Sequence, residues 1–281
     1  MSAAASPAVR GAELTRQLTG MGRPAVMGVL NVTPDSFSDG GRFIDPEVAI
    51  AHARRMVAEG ADVLDIGAES TRPYGGAMLV AIEAELARLE PVLPALVALG
   101  VPVSVDSMKA AVAEWGLRAG AAIVNDVWGL QRDPDMARVV ATHGAPVIVM
   151  HNRDSADPAI DIVADVDAYF ARSLEIAARA GIALDNIVLD PGIGFGKTPE
   201  QSMIVIARLA AFAHFGLPLL VGASRKRFIS SVVPSSPDQR LGGSIAAHLL
   251  AVRNGAAMVR VHDVAETVQA LRLTAAIASA G

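Results

Sequence analysis

The chain has 281 residues, 52% hydrophobic and 19% charged, a balance that implies a large buried core and excludes the disordered class. It contains no cysteine, which removes disulfides, thiolate metal sites and a cysteine nucleophile and fits a cytoplasmic, reducing setting. A net charge of −5 offers no electrostatic footprint for nucleic acid, and no apolar run approaches the roughly 18 residues that cross a bilayer, so neither nucleic acid nor membrane is expected as a partner.

Residues 1–24 are rich in alanine but broken by Arg10, Glu13 and Arg16, which leaves no apolar core for a secretory signal; they are expected as a partly flexible extension. From Ala25 onward short β-type runs alternate with amphipathic stretches of helical length. The predicted strands are Ala25–Asn31, Asp62–Gly67, Pro102–Asp106, Ala122–Asp126, Pro146–His151, Asn186–Asp190, Pro218–Gly222 and Ala257–His262. The predicted helices are Pro46–Glu59, Ala81–Leu99, Met108–Ala119, Pro134–His143, Ile162–Ala180, Pro199–Phe215, Gln239–Asn254 and Asp263–Ala278, several followed by a capping glycine. Eight strands alternating with eight helices, and no linker long enough to divide them, predict an α/β fold: a single-domain (β/α)8 TIM barrel over 25–281. An open doubly wound sheet is the competing arrangement, but it places its ligand at one crevice, whereas polar residues here end nearly every strand: Asn31, Glu69, Asp106, Asn125, His151, Asp190, Lys226 and His262.

The stretch from Asp190 to Lys197 closes an apolar run with a carboxylate and a glycine-rich turn. Gly196-Lys197-Thr198 imitates the end of a nucleotide phosphate loop, yet the first glycine of that motif would fall on Pro191; the dinucleotide fingerprint from Gly192 would need a glycine at Lys197. Both nucleotide readings fail by position. After strand 1 a long loop, Asn31 to Gly41, carries Asp35 and Phe37 and has the character of a lid, and Asn31 offers a neutral oxygen to a hard cation. After strand 2, Thr71 and Arg72 suit an anion, preferably phosphate. Asp106, Asn125 and Asp190 from three strand ends supply acceptors and a mixed donor/acceptor group to a flat 2-amino-4-oxo heterocycle. Ser224-Arg225-Lys226-Arg227 is a cationic cluster after strand 7, while Arg260 and His262 lie two apart on strand 8 and share a face. His151 ends strand 5 and is expected to act through a hydrogen bond to another site residue; His52, His143, His214 and His248 fall on helices, and no HxH or HxxxH pair supports zinc.

These motifs, taken in order, resemble the dihydropteroate synthase family of pterin-binding enzymes from Val26 to the C-terminus. The resemblance rests on Gly28 to Gly41, Glu69-Ser70-Thr71-Arg72-Pro73, Val105-Asp106-Ser107, Asn125-Asp126, Met150-His151, Asp190 to Lys197, Ser224-Arg225-Lys226 and Arg260-Val261-His262. It implies a transferase of folate biosynthesis that condenses 6-hydroxymethyl-7,8-dihydropterin diphosphate with p-aminobenzoate. By the same resemblance Asp106, Asn125, Met150, Asp190, Gly222 and Lys226 would hold the pterin, and Asn31, Thr71, Arg72, Arg260 and His262 the diphosphate. Mg²⁺ is the expected cofactor, on Asn31. Phe37, Thr71, Pro73, Phe195, Ser224 and Arg227 would form the p-aminobenzoate site, where sulfonamides would compete. Asp35, Arg72, Asp190, Lys226 and Arg260 are the residues expected to carry catalysis, in a homodimeric cytoplasmic enzyme. A pterin-using methyltransferase barrel, a Schiff-base aldolase on Lys226 and a non-catalytic folate-precursor binder are the alternatives; the phosphate-suited cations disfavour the first.

Overall fold

The structure, a computed structural model, describes residues 7–33, 45–69 and 80–280, with the side chains of 7–10 left aside. Its eight strands are β1 (Ala25–Asn31), β2 (Val63–Gly67), β3 (Val103–Asp106), β4 (Ile123–Asp126), β5 (Val147–Met150), β6 (Ile187–Asp190), β7 (Leu219–Val221) and β8 (Ala256–Val261). All neighbours are parallel and hydrogen-bonded in chain order, and β8 returns to β1 through Met27↔Arg260 and Gly28↔Val261, which closes the barrel. Closure leaves no sheet edge to protect and aims every strand's carboxyl end at one mouth.

Successive side chains on each strand point alternately inward and outward. The outward set packs under the helices in two large apolar clusters. The inward set divides by height. Near the amino ends it is apolar: Ala25, Met27, Val63, Ile123, Ile148, Val188, Leu220 and Met258 form one buried cluster. Two residues further along the strands, the same alternation brings in Asp65, Asn125, Asp190 and Arg260, with Asp106 higher on β3.

Between Ala25 and the C-terminus the helices are α2 (Pro46–Ala58), α3 (Ile82–Leu89), α4 (Leu93–Val97), α5 (Ala110–Arg118), α6 (Met136–His143), α7 (Ile162–Ala180), α8 (Pro199–Ala207), α9 (Arg227–Val232), α10 (Leu241–Arg253) and α11 (Val264–Ser279). The stretch expected as one helix over Ala81–Leu99 is two: α3 ends at Leu89 just before Pro91, α4 starts at Leu93 with Pro94 in its first turn, and neither proline has an amide hydrogen to carry one helix into the other. Helix α8 likewise gives way to 3₁₀ turns at Leu209–Phe215, and α9 is a short helix the periodicity does not announce. Before the barrel, α1 (Pro7–Thr19) runs across its amino end, and Leu18 joins the inner apolar cluster. Gly60, Gly100, Gly120, Gly181 and Gly255 all take positive φ just past a helix, as their positions predict. Among the described residues no helix is long and apolar enough to cross a membrane.

Candidate active site

The mouth is organised by a buried carboxylate that the sequence reading passes over. Asp65, on β2, is completely buried, and its Oδ2 accepts from the Arg260 Nε at 2.6 Å and from the Asn125 Nδ2 at 3.1 Å. Arg260 also donates from Nη2 to the Asp106 Oδ2 at 2.6 Å. Four strands thus meet in one polar layer. The consequence for Asn125 is specific: with its nitrogen committed to Asp65, the amide presents its oxygen. Among the described residues that oxygen and Oδ1 of Asp106 are both buried and without a hydrogen-bond partner. Buried acceptors left in this state are costly and call for donors from a ligand. The signal for Asp65 was available, since a carboxylate on the inward face of the apolar strand Val63-Leu64-Asp65-Ile66-Gly67 needs a buried cation just as Arg260 needs a buried anion.

The electrostatics follow from burial. Desolvation pushes the Asp106 carboxyl up to about 7, with Arg260 opposing and Asp65 adding to the rise. Burial raises Asp190 to about 6, held back first by the Gly192 N–H that its Oδ1 accepts at 2.7 Å and then by Lys226 and Arg260. Burial works against the Arg260 charge, but Asp65 and Asp106 outweigh it and keep the guanidinium fully protonated. His262 is pushed down to about 3 by burial and by the neighbouring cations Arg260, Arg225 and Lys226, so its imidazole is neutral.

Lys226 lies with Nζ 4.0 Å from the centroid of the Phe195 ring, a cation–π contact that joins the turns after β6 and β7. Phe195 in turn packs with Val127 and Met150 in a small buried cluster, with Met108 and Trp128 against it. Gly222 sits beside the Arg260 stem, where an added Cβ would lie 3.6 Å from the Arg260 Cβ. The glycines after Asp190 are required: Gly192 has φ of 64° and a Cβ there would fall 1.9 Å from the His151 carbonyl oxygen, and Gly196 would meet the Arg153 Cβ at 2.4 Å.

Other predicted residues take different places. Within the cationic cluster only part faces the mouth. Arg225 adopts φ of 57° and turns its guanidinium onto Asp263, with Nε 3.1 Å from Oδ2. Arg227 opens α9 and is exposed. Ser224 is buried, its Oγ 2.9 Å from the His262 Nδ1 and accepting the His262 N–H at 3.2 Å, so it sets the imidazole's orientation. Asp126 points away from the mouth and accepts the amides of Trp128 and Leu130 in its own turn. Glu69, expected in the ring of strand-end ligands, is instead bound to Lys109, which also reaches Glu85 at 2.6 Å, and its Oε1 accepts the Val80 N–H. It ties together the two sides of the segment it precedes. His151 is buried between Lys197 and Asp165. Asn31 is half-buried at the end of β1, opposite Gly67. Asp35, Phe37, Thr71, Arg72 and Pro73, with the apolar stretch Tyr74–Leu79, lie outside the described residues.

A mouth of buried acceptors flanked by fixed cations is matched by what the chain resembles. Residues 27–262 match the family model described as pterin binding enzyme. The dihydropteroate synthase of Bacillus subtilis is 44% identical over 257 residues, 91% of this chain and 89% of that protein. Among solved structures, the Xanthomonas albilineans dihydropteroate synthase with 4-aminobenzoic acid is 46% identical, with a TM-score of 0.86 over 91% of this chain and 93% of that one. The same organism's enzyme in complex with 7,8-dihydropteroate is 43% identical, with a TM-score of 0.83 over 91% and 94% of the two chains. The chain belongs to the pterin-binding enzyme family, among the dihydropteroate synthases.

Proposed function

We propose that the protein is a transferase of folate biosynthesis that joins 6-hydroxymethyl-7,8-dihydropterin diphosphate to p-aminobenzoate, giving 7,8-dihydropteroate and diphosphate. The observation that carries this reading is the pair of buried oxygens on Asp106 and Asn125, unpartnered among the described residues, beside Asp190 and on the same mouth as Arg260, Lys226 and His262. A 2-amino-4-oxo-pterin edge brings the donors those oxygens lack, and the diphosphate brings the negative charge the cations balance. Relatives captured with 4-aminobenzoic acid and with 7,8-dihydropteroate support the same assignment.

In the reaction the p-aminobenzoate nitrogen forms a bond to the pterin methylene carbon, the C–O bond breaks with its electron pair leaving on diphosphate, and the nitrogen gives up a proton. No protein nucleophile is needed. In a dissociative path, positive charge develops on the methylene and pterin ring, where Asp190 and Asp106 stabilise it. Arg260, already charged, and the His262 ring stabilise the departing diphosphate. Lys226 binds the ring edge and, through its contact with Phe195, sets one wall of the p-aminobenzoate site. Thr71, Arg72, Pro73, Asp35 and Phe37 complete the diphosphate and p-aminobenzoate sites in this proposal, the two loops excluding water from the cation.

Mg²⁺ is proposed on the Asn31 amide oxygen, where it would neutralise charge on the leaving diphosphate. The described residues hold no cluster of three or more acidic or histidine side chains, which suits an ion that keeps its waters and shares substrate oxygens. We further propose a cytoplasmic homodimer; Leu273 and Ile277, one turn apart on α11 and 60% and 65% exposed, are a candidate part of its interface. The test of function is diphosphate release on mixing the protein with Mg²⁺, the pterin diphosphate and p-aminobenzoate. Release that persists when p-aminobenzoate is omitted would contradict the reading.

A further inference from the structure

The glycine-rich turn after β6 is held from inside by a buried lysine. Lys197 is 1% exposed. Its Nζ lies 2.6 Å from the His151 Nδ1 and donates to the carbonyls of Gly192 at 2.9 Å and Phe195 at 3.1 Å. Those three acceptors use all three hydrogens of an ammonium. With Nδ1 accepting, the His151 hydrogen sits on Nε2 and is donated to the Asp165 Oδ2 at 2.9 Å, while Arg153 fixes Oδ1 of the same carboxylate at 2.8 Å. The chain therefore runs from a carboxylate on α7, through a histidine at the end of β5, to an ammonium beneath the turn.

The two carbonyls that Lys197 gathers are the two ends of the turn itself, and the Phe195 N–H closes back on the Gly192 oxygen at 3.0 Å. Asp190 does not need this support, being fixed by the strand ladder and by the Gly192 amide. Phe195 does: it follows two glycines with positive φ, Gly192 and Gly194, and precedes a third, Gly196, and its ring is where Lys226 rests. We propose that Lys197, oriented by His151 and Asp165, is a positioning residue that sets the Phe195 ring and so controls the binding of p-aminobenzoate rather than of the pterin. This rests on the reading of Phe195 as part of the p-aminobenzoate site.

Burial pushes Lys197 down to about 7 against the pull of Asp190 and Asp165, and holds His151 near 4, so the histidine is a neutral relay and not a second charge. A buried ammonium is costly unless every hydrogen is used. Here each one is spent on holding a loop.

The experiment is steady-state kinetics on Lys197→Met with each substrate varied in turn, alongside Phe195→Ala and Asp165→Asn. The expected result for Lys197→Met is a rise of about tenfold or more in KM for p-aminobenzoate with the pterin diphosphate KM within about threefold. Trp128, packed against the small cluster that holds Phe195, should change its emission in the same variant. Asp165→Asn, at a partly exposed site, should shift the same KM in the same direction by about threefold, and it serves as the test if Lys197→Met does not fold. An equal loss toward both substrates, or a lowered melting temperature with both KM values unchanged, overturns the proposal. If Phe195→Ala itself leaves the p-aminobenzoate KM unchanged, the assignment of Phe195 has failed; if it raises that KM and neither Lys197→Met nor Asp165→Asn does, the role of Lys197 has failed.

Discussion

The two halves of the barrel interior are made from the same inward-facing positions and solve opposite problems. The floor is apolar: Ala25, Met27, Val63, Ile123, Ile148, Val188, Leu220 and Met258 meet one another, and α1 lies beneath them with Leu18 in contact. A cavity of about 10 Å³, no more than a single water needs, lies between α1 and that layer. The mouth, two residues higher, buries Asp65, Asn125 and Asp190, holds Asp106 and Arg260 half-buried, and leaves oxygens unsatisfied among the described residues. Stability is concentrated where the polar atoms are absent, and reactivity where the polar groups are held short of satisfaction. The floor's burial offsets the cost of the mouth.

Substitutions should separate the halves. The largest effect is expected from Asp190→Asn, which keeps shape and removes the charge nearest the pterin: a loss of about 10³-fold or more in kcat/KM, with the melting temperature close to wild type. Turnover near normal would break the assignment of the mouth. Next is Asp65→Asn, which leaves Arg260 with one carboxylate and frees the Asn125 amide to rotate; about 10²-fold lower kcat/KM for the pterin diphosphate is expected, and a change under threefold would show that the upper layer does not depend on Asp65. On the floor, Leu18→Ala should cost about 2 kcal/mol in urea unfolding with turnover unchanged. Lost activity at full stability would reverse the comparison.

The smallest effect is a slope. His248 is buried, its Nε2 accepts the Ala223 N–H at 3.0 Å, and burial lowers it to about 4. Its folded value lies below its unfolded value of about 6.5, so between those limits the unfolded chain binds the extra proton and stability falls as pH falls. Replacing His248 with Gln should remove up to about 1.4 kcal/mol per pH unit from the dependence between pH 6 and 5, measured by urea midpoints. An unchanged slope would mean that His248 is already charged in the fold.

What was legible in the sequence follows physical range. Period-2 apolar runs and helix-capping glycines are local, so the strands fall within one residue of expectation and the barrel with them. Asn125, Asp106, Asp190 and Arg260 were legible because polar side chains at the ends of apolar strands need a reason. Asp65 shares that signature but stands mid-strand. The links among Lys197, His151 and Asp165 join β6, β5 and α7, and no spacing in the chain announces them. Arg225 looked equivalent to Lys226 because composition does not reveal a backbone at φ of 57°, which turns one cation away from its neighbour. Helix α1 hides behind an alanine-rich sequence, its role set by the floor it covers.

The mouth's central pair gives the most direct test. Arg260 and Asp106 are bonded to each other at 2.6 Å, and a pterin edge donating to Asp106 would compete for that carboxylate. A crystal structure of the protein with 7,8-dihydropteroate should show the ring edge within hydrogen-bond distance of Asp106, Asn125 and Asp190, with Arg260 still on Asp65 and released from the Asp106 oxygen it now holds. A ring bound elsewhere, or facing these residues with the Arg260–Asp106 bond and both unpartnered oxygens unchanged, would contradict the account.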